Sequence, residues 1–267
     1  MSPSQAEHKA DLLAKFKRGA ITRRELVAAA AGMLGGLTIA HDLLPLTHHH
    51  PPLAHAAGGI ASDNFDRAGP PLGGAWRVRQ QDGSDTFFIG SGPNAGKLAQ
   101  LSWPATTPSG AFALWIDNEF NLTQFSQATF FKLVDVNGSS SGPCVRCQSP
   151  SWPNNFFVGY AFRTKQTSPD PGTRLLSLER GNVNIGQQVW TTLAEAPGHF
   201  ANGDVVRIEA QDNVITCFVN GGQKLTFTDT SPFALLSCGH PGICQAVNNS
   251  SEEWLWDDWS GGETAPI

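Results

Sequence analysis

Charge is scarce in this chain: Asp, Glu, Lys and Arg together make up 15% of its 267 residues, against about 25% in an average soluble domain. There are only 2 Met and a single Tyr. No excess of basic residues exists either. The net charge of -5 excludes a nucleic-acid partner held by phosphate neutralisation. Uninterrupted helix-forming stretches are lacking, because 28 Gly and 18 Pro punctuate the chain, and this excludes a coiled coil or helical bundle. What is present is aromatic: 8 Trp and 16 Phe, which with Val and Leu suffice to bury a core and exclude general disorder. The balance reads as an all-β domain.

The first 56 residues stand apart. They hold six of the 18 basic and four of the 23 acidic residues, leaving 19 acidic against 12 basic in residues 57–267, a net of -7. Behind Arg24 runs an uncharged, Ala- and Gly-rich stretch from Leu26 to Ala40, short of the about 20 residues a membrane span needs but suited to a signal h-region. Thr22-Arg23-Arg24-Glu25-Leu26-Val27 resembles a twin-arginine export signal, with Val27 a departure in the last place. Ala54-His55-Ala56 fits an A-x-A cleavage site. Residues 1–56 are therefore expected to be a helical or disordered export leader, and residues 57–267 one secreted domain that does not span a membrane. The alternative is an amphipathic helix followed by an uncleaved anchor. His48, His49, His50 and His55 would leave with the leader.

From Asp63 onward the hydrophobic period is two. Asp204–Ala210 alternates as a strand, Asp212-Asn213 turns the chain, and Val214–Val219 returns. Asn220-Gly221-Gly222 supplies residues that accept positive φ and predicts a hairpin into Lys224–Thr228. Asn155–Phe162 and Gln127–Val134 read as further, largely buried strands. The length suits one two-sheet antiparallel β-sandwich or jelly roll.

Asp63-Asn-Phe-Asp-Arg-Ala68 with Pro71-Leu-Gly-Gly-Ala-Trp76, then Gly203–Glu209, Ile215–Gly221, Pro241-Gly-Ile243 and Trp256-Asp-Asp-Trp-Ser-Gly-Gly262, resemble in order the motifs of concanavalin A-like (LamG-like) jelly-roll domains. The resemblance implies two sheets whose first and last strands lie together. It implies no single activity, because that superfamily includes lectins, adhesion modules, glucanases and lyases.

Catalysis on glycans needs two carboxylates flanking the scissile bond. Retaining glucanases of this fold carry E-x-D-x-E on one strand. Asp117 and Glu119 have the i, i+2 spacing, but Trp115 stands at the nucleophile position, and Asp117-Asn118 also reads as a turn. Glu179, Glu195 and Glu209 have no partner at a telling spacing, and no G-x-S-x-G elbow occurs. His199 and His240 fall in expected loops. Cys144 and Cys147 spell CxxC, but residues i and i+3 on a regular strand face opposite ways, so they read as two separate small residues. Cys238 and Cys244 flank a Gly-Pro turn that a disulfide would close, with Cys217 the expected free thiol. Asp63, Asp257 and Asp258 would meet if the terminal strands pair. They would then hold a structural Ca²⁺ or, alternatively, cap turns and guard an edge.

Sugar binding asks less: an aromatic face for the C–H side of a pyranose, with polar groups nearby. Trp103 and Trp152 lie in Pro-marked segments, where rings reach solvent. Arg146, at the family's Arg position, and Tyr160 on the following strand are expected to line one sheet face with them. Trp76 matches the family's core Trp, and Trp254, Trp256 and Trp259 flank the closing strand. The expectation is an exported, non-catalytic module for a polysaccharide or surface glycan. A glycoside hydrolase or polysaccharide lyase led by Asp117 and Glu119, and an adhesion domain without a sugar site, are the alternatives.

Overall fold

The computed structural model describes residues 59–67, 72–80, 87–89, 96–100, 109–117, 120–132, 140–148, 157–166, 174–184, 187–231, 234–235, 238–247 and 254–263. The expected leader, residues 1–56, lies outside them. So do Trp103, Trp152 and Glu119.

Among the described residues fifteen strands follow one another. They are β1 (Ile60–Asp63), β2 (Trp76–Gln80), β3 (Phe87–Ile89), β4 (Leu98–Gln100) and β5 (Ser109–Trp115). Next come β6 (Gln124–Lys132), β7 (Ser140–Cys147), β8 (Gly159–Gln166), β9 (Arg174–Asn184) and β10 (Gln187–Pro197). The last are β11 (Val205–Gln211), β12 (Val214–Val219), β13 (Gly222–Thr228), β14 (His240–Val247) and β15 (Trp254–Glu263). They form an eight-stranded sheet ordered β13-β12-β11-β6-β15-β4-β3, with β1 also on β15, and a seven-stranded sheet ordered β10-β9-β8-β7-β14-β5-β2. All strand pairings are antiparallel. The expected two-sheet antiparallel sandwich is present, and its first and last strands pair, with Asp63 opposite Trp259.

Local sequence explains the regular parts. Val206, Ile208 and Ala210 on β11 are buried while the residues between them are partly exposed, the alternation of a strand with one face on a core. Asn220 and Gly221 take φ values of 51° and 74°, so the two-residue loop between β12 and β13 is the hairpin expected from the sequence. Two other expected strands are shifted by several residues: 127–134 is β6, and 155–162 begins only at Gly159. His240, expected in a loop, opens β14 and is buried.

Among the described residues four strand pairings shift register; one lies in the β12–β13 hairpin, between Cys217 and Phe218, and the other three bear on the core and the outer face. The register of β15 shifts between Asp257 and Ser260, where Asp258 takes φ 47°. A β-bulge of this kind inserts one extra residue, so Trp256 and Trp259 both enter the core although they are three apart. Where β7 meets β14 the register shifts between His240 and Gly242, beside Arg146 at φ 54°. β10 shifts between Thr192 and Ala194.

The two bulge-adjusted tryptophans hold the sheets together. Trp259 Nε1 donates to Ser126 Oγ on β6 at 3.0 Å, and that hydroxyl donates across the sandwich to the Gly242 carbonyl on β14 at 2.8 Å. Trp256 Nε1 donates to Ser141 Oγ on β7 at 2.8 Å. Trp259 also packs on Trp76 and Trp115, with ring centroids 4.7 and 5.5 Å away. Replacing Ser126 by Ala orphans a buried indole N–H and a buried carbonyl, and each orphan costs about 1–3 kcal/mol. Denaturant unfolding of Ser126→Ala is therefore expected to show a loss of about 2–6 kcal/mol. A loss under 0.5 kcal/mol would contradict the role given to this bridge.

Candidate functional site

The seven-stranded sheet has one face on the core and one turned outward. On β8, Tyr160 and Phe162 enter the main core, so Ala161, Arg163 and Lys165 point out. On β9, Leu176 and Leu178 enter the core, and Ser177, Glu179 and Gly181 point out. Strand pairing then sets Trp190 opposite Gly181, Thr192 opposite Glu179 and Glu195 opposite Ser177, with Arg163 also opposite Ser177. The bulge in β10 matters here. An unbroken register would set Ala194 opposite Ser177; the extra residue turns Glu195 outward instead.

These side chains form a continuous charged chain. The Glu179 carboxylate is clasped by the guanidinium of Arg163 and the ammonium of Lys165. Lys165 Nζ also lies 3.3 Å from Glu195 Oε1, which accepts a hydrogen bond from Ser177 Oγ at 3.2 Å. The Arg163 guanidinium sits 4.1 Å from the centre of the Trp190 ring, and that ring stacks on Phe157 at 4.9 Å and 17°. Gly181 makes room for this stack, since a Cβ there would collide with the Phe157 ring. Arg163 and Glu179 are buried, Lys165 is half-buried, Glu195 is exposed and Trp190 retains 36% exposure. A buried ion pair thus positions an exposed carboxylate and an exposed aromatic beside it.

This arrangement suits binding rather than cleavage. Acid–base hydrolysis needs two carboxylates with the glycosidic bond between them. Here one ammonium contacts both carboxylates, and a guanidinium also holds the buried one. The indole and its flanking charges instead offer an apolar surface next to donors and acceptors, the requirement for a hydroxyl-rich ligand.

The residues expected from the sequence are placed elsewhere. Arg146 and Tyr160, expected on an exposed face, are 0% and 1% exposed, and this corrects the expectation. Arg146 donates to the Leu122 carbonyl at 2.9 Å and the Leu235 carbonyl at 3.0 Å, and burial lowers its pKa to about 10. Tyr160 donates to Asp229 Oδ2 at 2.8 Å and accepts from the Leu235 amide at 2.9 Å. Burial first, with the Asp229 charge, raises its pKa to about 12. Arg180 Nη1 completes this buried network at 2.5 Å from Asp229 Oδ2. Both residues serve the fold. Asp117 is exposed in a bend just past β5, away from the paired carboxylates.

The cysteines depart from the sequence expectation in two ways. Cys144 and Cys147 do not face opposite ways: both pack with Cys244, Phe112 and Phe157 in a small cluster on the outer face, because the left-handed Arg146 between them cancels the alternation. The expected Cys238–Cys244 disulfide is absent, as all five thiols are free. Cys244 lies midway along β14, roughly 15–20 Å of extended chain from Cys238, whereas a disulfide needs Cα atoms within about 7 Å. Cys217 is buried within β12.

The acidic residues proposed for calcium already have protein partners. Asp63 takes Arg67 at 2.6 and 2.8 Å, the Trp76 indole at 2.8 Å and the Phe65 amide at 2.9 Å. Burial alone would raise the Asp63 pKa, but these donors and the Arg67 charge outweigh it and lower the pKa. Asp257 pairs with Lys97 at 2.9 Å, and Asp258 is exposed. Among the described residues no group of three or more His, Cys, Asp or Glu is placed to hold a metal.

No family model and no curated protein sequence matches the chain. Solved structures are similar in shape. The carbohydrate recognition domain of Emp47p shares 12% identity at TM-score 0.47, covering 77% of this chain and 95% of that one. A Bacillus subtilis protein of unknown function with a galectin-like fold shares 9% at TM-score 0.49, covering 70% and 89%. LamAcat from Zobellia galactanivorans shares 11% at TM-score 0.46, covering 76% and 96%. Each TM-score is below 0.5, and the description as a two-sheet sandwich rests on the strand pairing above.

Breaking one side of a buried ion pair costs about 3–5 kcal/mol. Glu179→Gln, which leaves Arg163 buried without its carboxylate, is expected to lose stability on that scale in chemical denaturation, whereas exposed Glu195→Gln loses under 1 kcal/mol. Asp63 makes a pH-dependent contribution. Its lowered pKa stabilises the fold above the ordinary value of 3.8, and that stability is lost as pH falls through the folded value. The stability gap between wild type and Asp63→Asn should therefore be full at pH 6 and shrink below pH 3.8; a gap that widens in acid would contradict the assignment.

Proposed function

We propose that the chain is an exported, non-catalytic module that binds a polysaccharide or surface glycan through the outer face of its seven-stranded sheet. The observation that carries this reading is Trp190: an indole with 36% of its surface open, fixed by Phe157 and Arg163, next to the Lys165–Glu195 pair. The apolar side of a pyranose packs against the open edge of this ring, whose faces carry Phe157 and Arg163, while its hydroxyls reach the ammonium and carboxylate. Thr192, exposed on the same edge strand opposite Glu179, extends the polar border. Trp103 and Trp152 belong to the proposal as further contacts from the Pro-marked segments. The resemblance of the opening and closing motifs to concanavalin A-like domains supports a sugar ligand without naming it.

A glycan array followed by titration calorimetry, with a reducing-sugar assay on the same ligands, tests this reading. Binding without product is expected, with affinity lowered at least tenfold by Trp190→Ala and weakened by Trp152→Ala. Release of reducing ends would favour a hydrolase; silence in both assays would favour an adhesion domain. For export, fusion of residues 1–56 to a reporter is expected to give secretion that Arg23→Lys with Arg24→Lys abolishes. Undiminished secretion would remove the twin-arginine route.

A further inference from the structure

The charged chain on the outer face is layered by depth, and its outermost member is an anion. Arg163, Lys165 and Glu179 keep 7%, 20% and 3% of their side-chain surface open, against 37% for Glu195. Both cations are already matched: Arg163 and Lys165 hold Glu179, and Lys165 reaches Glu195 as well. Glu195 is matched on one side only. Lys165 Nζ at 3.3 Å and Ser177 Oγ at 3.2 Å both contact its Oε1, and among the described residues no donor reaches Oε2. Two cations against two carboxylates sum to zero, yet the cations lie beneath and an open carboxylate oxygen faces outward. Residues 57–267 carry a net charge of -7, so the wider field has the same sign.

Strand register gives the spacing. Trp190 stands opposite Gly181, Thr192 opposite Glu179 and Glu195 opposite Ser177. These partners follow one another at every second residue of β9. The backbone positions of Trp190 and Glu195 are therefore about 13 Å apart along the strand, with Thr192 midway. A single pyranose does not span that row. The faces of the Trp190 ring carry Phe157 and Arg163, so a sugar meets its open edge, the positive end of the ring quadrupole. A cationic group is disfavoured at that edge and favoured at Glu195, the other end of the row. We infer, resting on the glycan reading of Trp190, that this face takes a linear amino-sugar oligosaccharide lying along β10, with one ring against Trp190 and the protonated amine of another on Glu195 Oε2. An ammonium donating to a carboxylate makes a charge-assisted bond about twice as strong as a neutral one. A uronate or sulfated chain would instead set like charges together at Glu195.

Titration calorimetry of the full chain tests this at pH 6, where the sugar amine carries its proton, and at matched ionic strength. The ligands are the tetramers of glucosamine, N-acetylglucosamine and galacturonate, with free glucosamine as the length control. The glucosamine tetramer is expected to bind at least fivefold more tightly than its acetylated counterpart and at least tenfold more tightly than the free sugar, with galacturonate weakest. In Glu195→Gln the amine-to-acetyl ratio is expected to fall to about one; Glu195 is exposed, so this variant folds. Trp190→Ala is expected to weaken both glucosamine-based tetramers at least tenfold. Equal affinity for the amine and acetyl tetramers, or a preference that survives Glu195→Gln, overturns the amine contact, while binding that still needs Trp190 leaves the glycan reading standing. A glucosamine tetramer that does not bind overturns it as well. Amine-selective binding indifferent to Trp190→Ala overturns the role of that ring, and with it the row along β10.

Discussion

A buried indole N–H is costly without an acceptor, and in this sandwich the acceptors of Trp256 and Trp259 lie where they tie the two sheets together. Trp259 reaches the hydroxyl of Ser126, which passes the bond on to the Gly242 carbonyl in the opposite sheet. Trp256 reaches across to Ser141. Both rings come from the closing strand, and both acceptors are small polar residues that would otherwise be costly inside a core. Trp76 on β2 likewise donates to Asp63 on β1, and Asp63 is in turn paired with Trp259 of the closing strand. The strands that carry the outward site are thereby held from behind, through β7 and β14.

Much of the architecture was legible in the sequence. The Asn220-Gly221 hairpin and the alternation of β11 follow from local rules, whereas the burial of Trp76 and the meeting of the terminal strands are what the family resemblance implied. Turn residues report φ, and period two reports a half-buried strand. The illegible part has a single physical form. Besides β13 in its hairpin, three strands take an extra residue, at Asp258, beside Arg146 and between Thr192 and Ala194, and the first two of these kinks are made by non-glycine residues at positive φ. Nothing in the local sequence marks those positions as left-handed. Each one reverses the alternation, and with it every inference about which face a later residue occupies. That is why Cys144 and Cys147 share a face and why Glu195 stands beside Glu179's lysine.

The candidate site escaped the sequence for a second reason. Glu179, Glu195, Lys165, Arg163 and Trp190 lie on three strands and have no short motif; only the register of β8, β9 and β10 assembles them. Arg146, by contrast, sits at the family's Arg position and Tyr160 on the strand that follows, and the structure gives them internal work with Leu122, Leu235 and Asp229. The assembled site is graded from a dry ion pair to a wet aromatic edge. Rigid support beneath exposed contacts limits the ordering cost of binding, and in this chain Phe157, Gly181 and the Arg163–Glu179 pair give that support.

The central claim is that ligand is read on the outer face of the seven-stranded sheet, at the edge formed by β10. Amide chemical-shift mapping of the protein with a binding oligosaccharide addresses it most directly. The predicted result is a set of perturbations concentrated at Lys165, Ser177, Trp190, Thr192 and Glu195, including the Trp190 indole N–H. Perturbations confined to the eight-stranded sheet, with the Trp190 indole unmoved, would contradict the account.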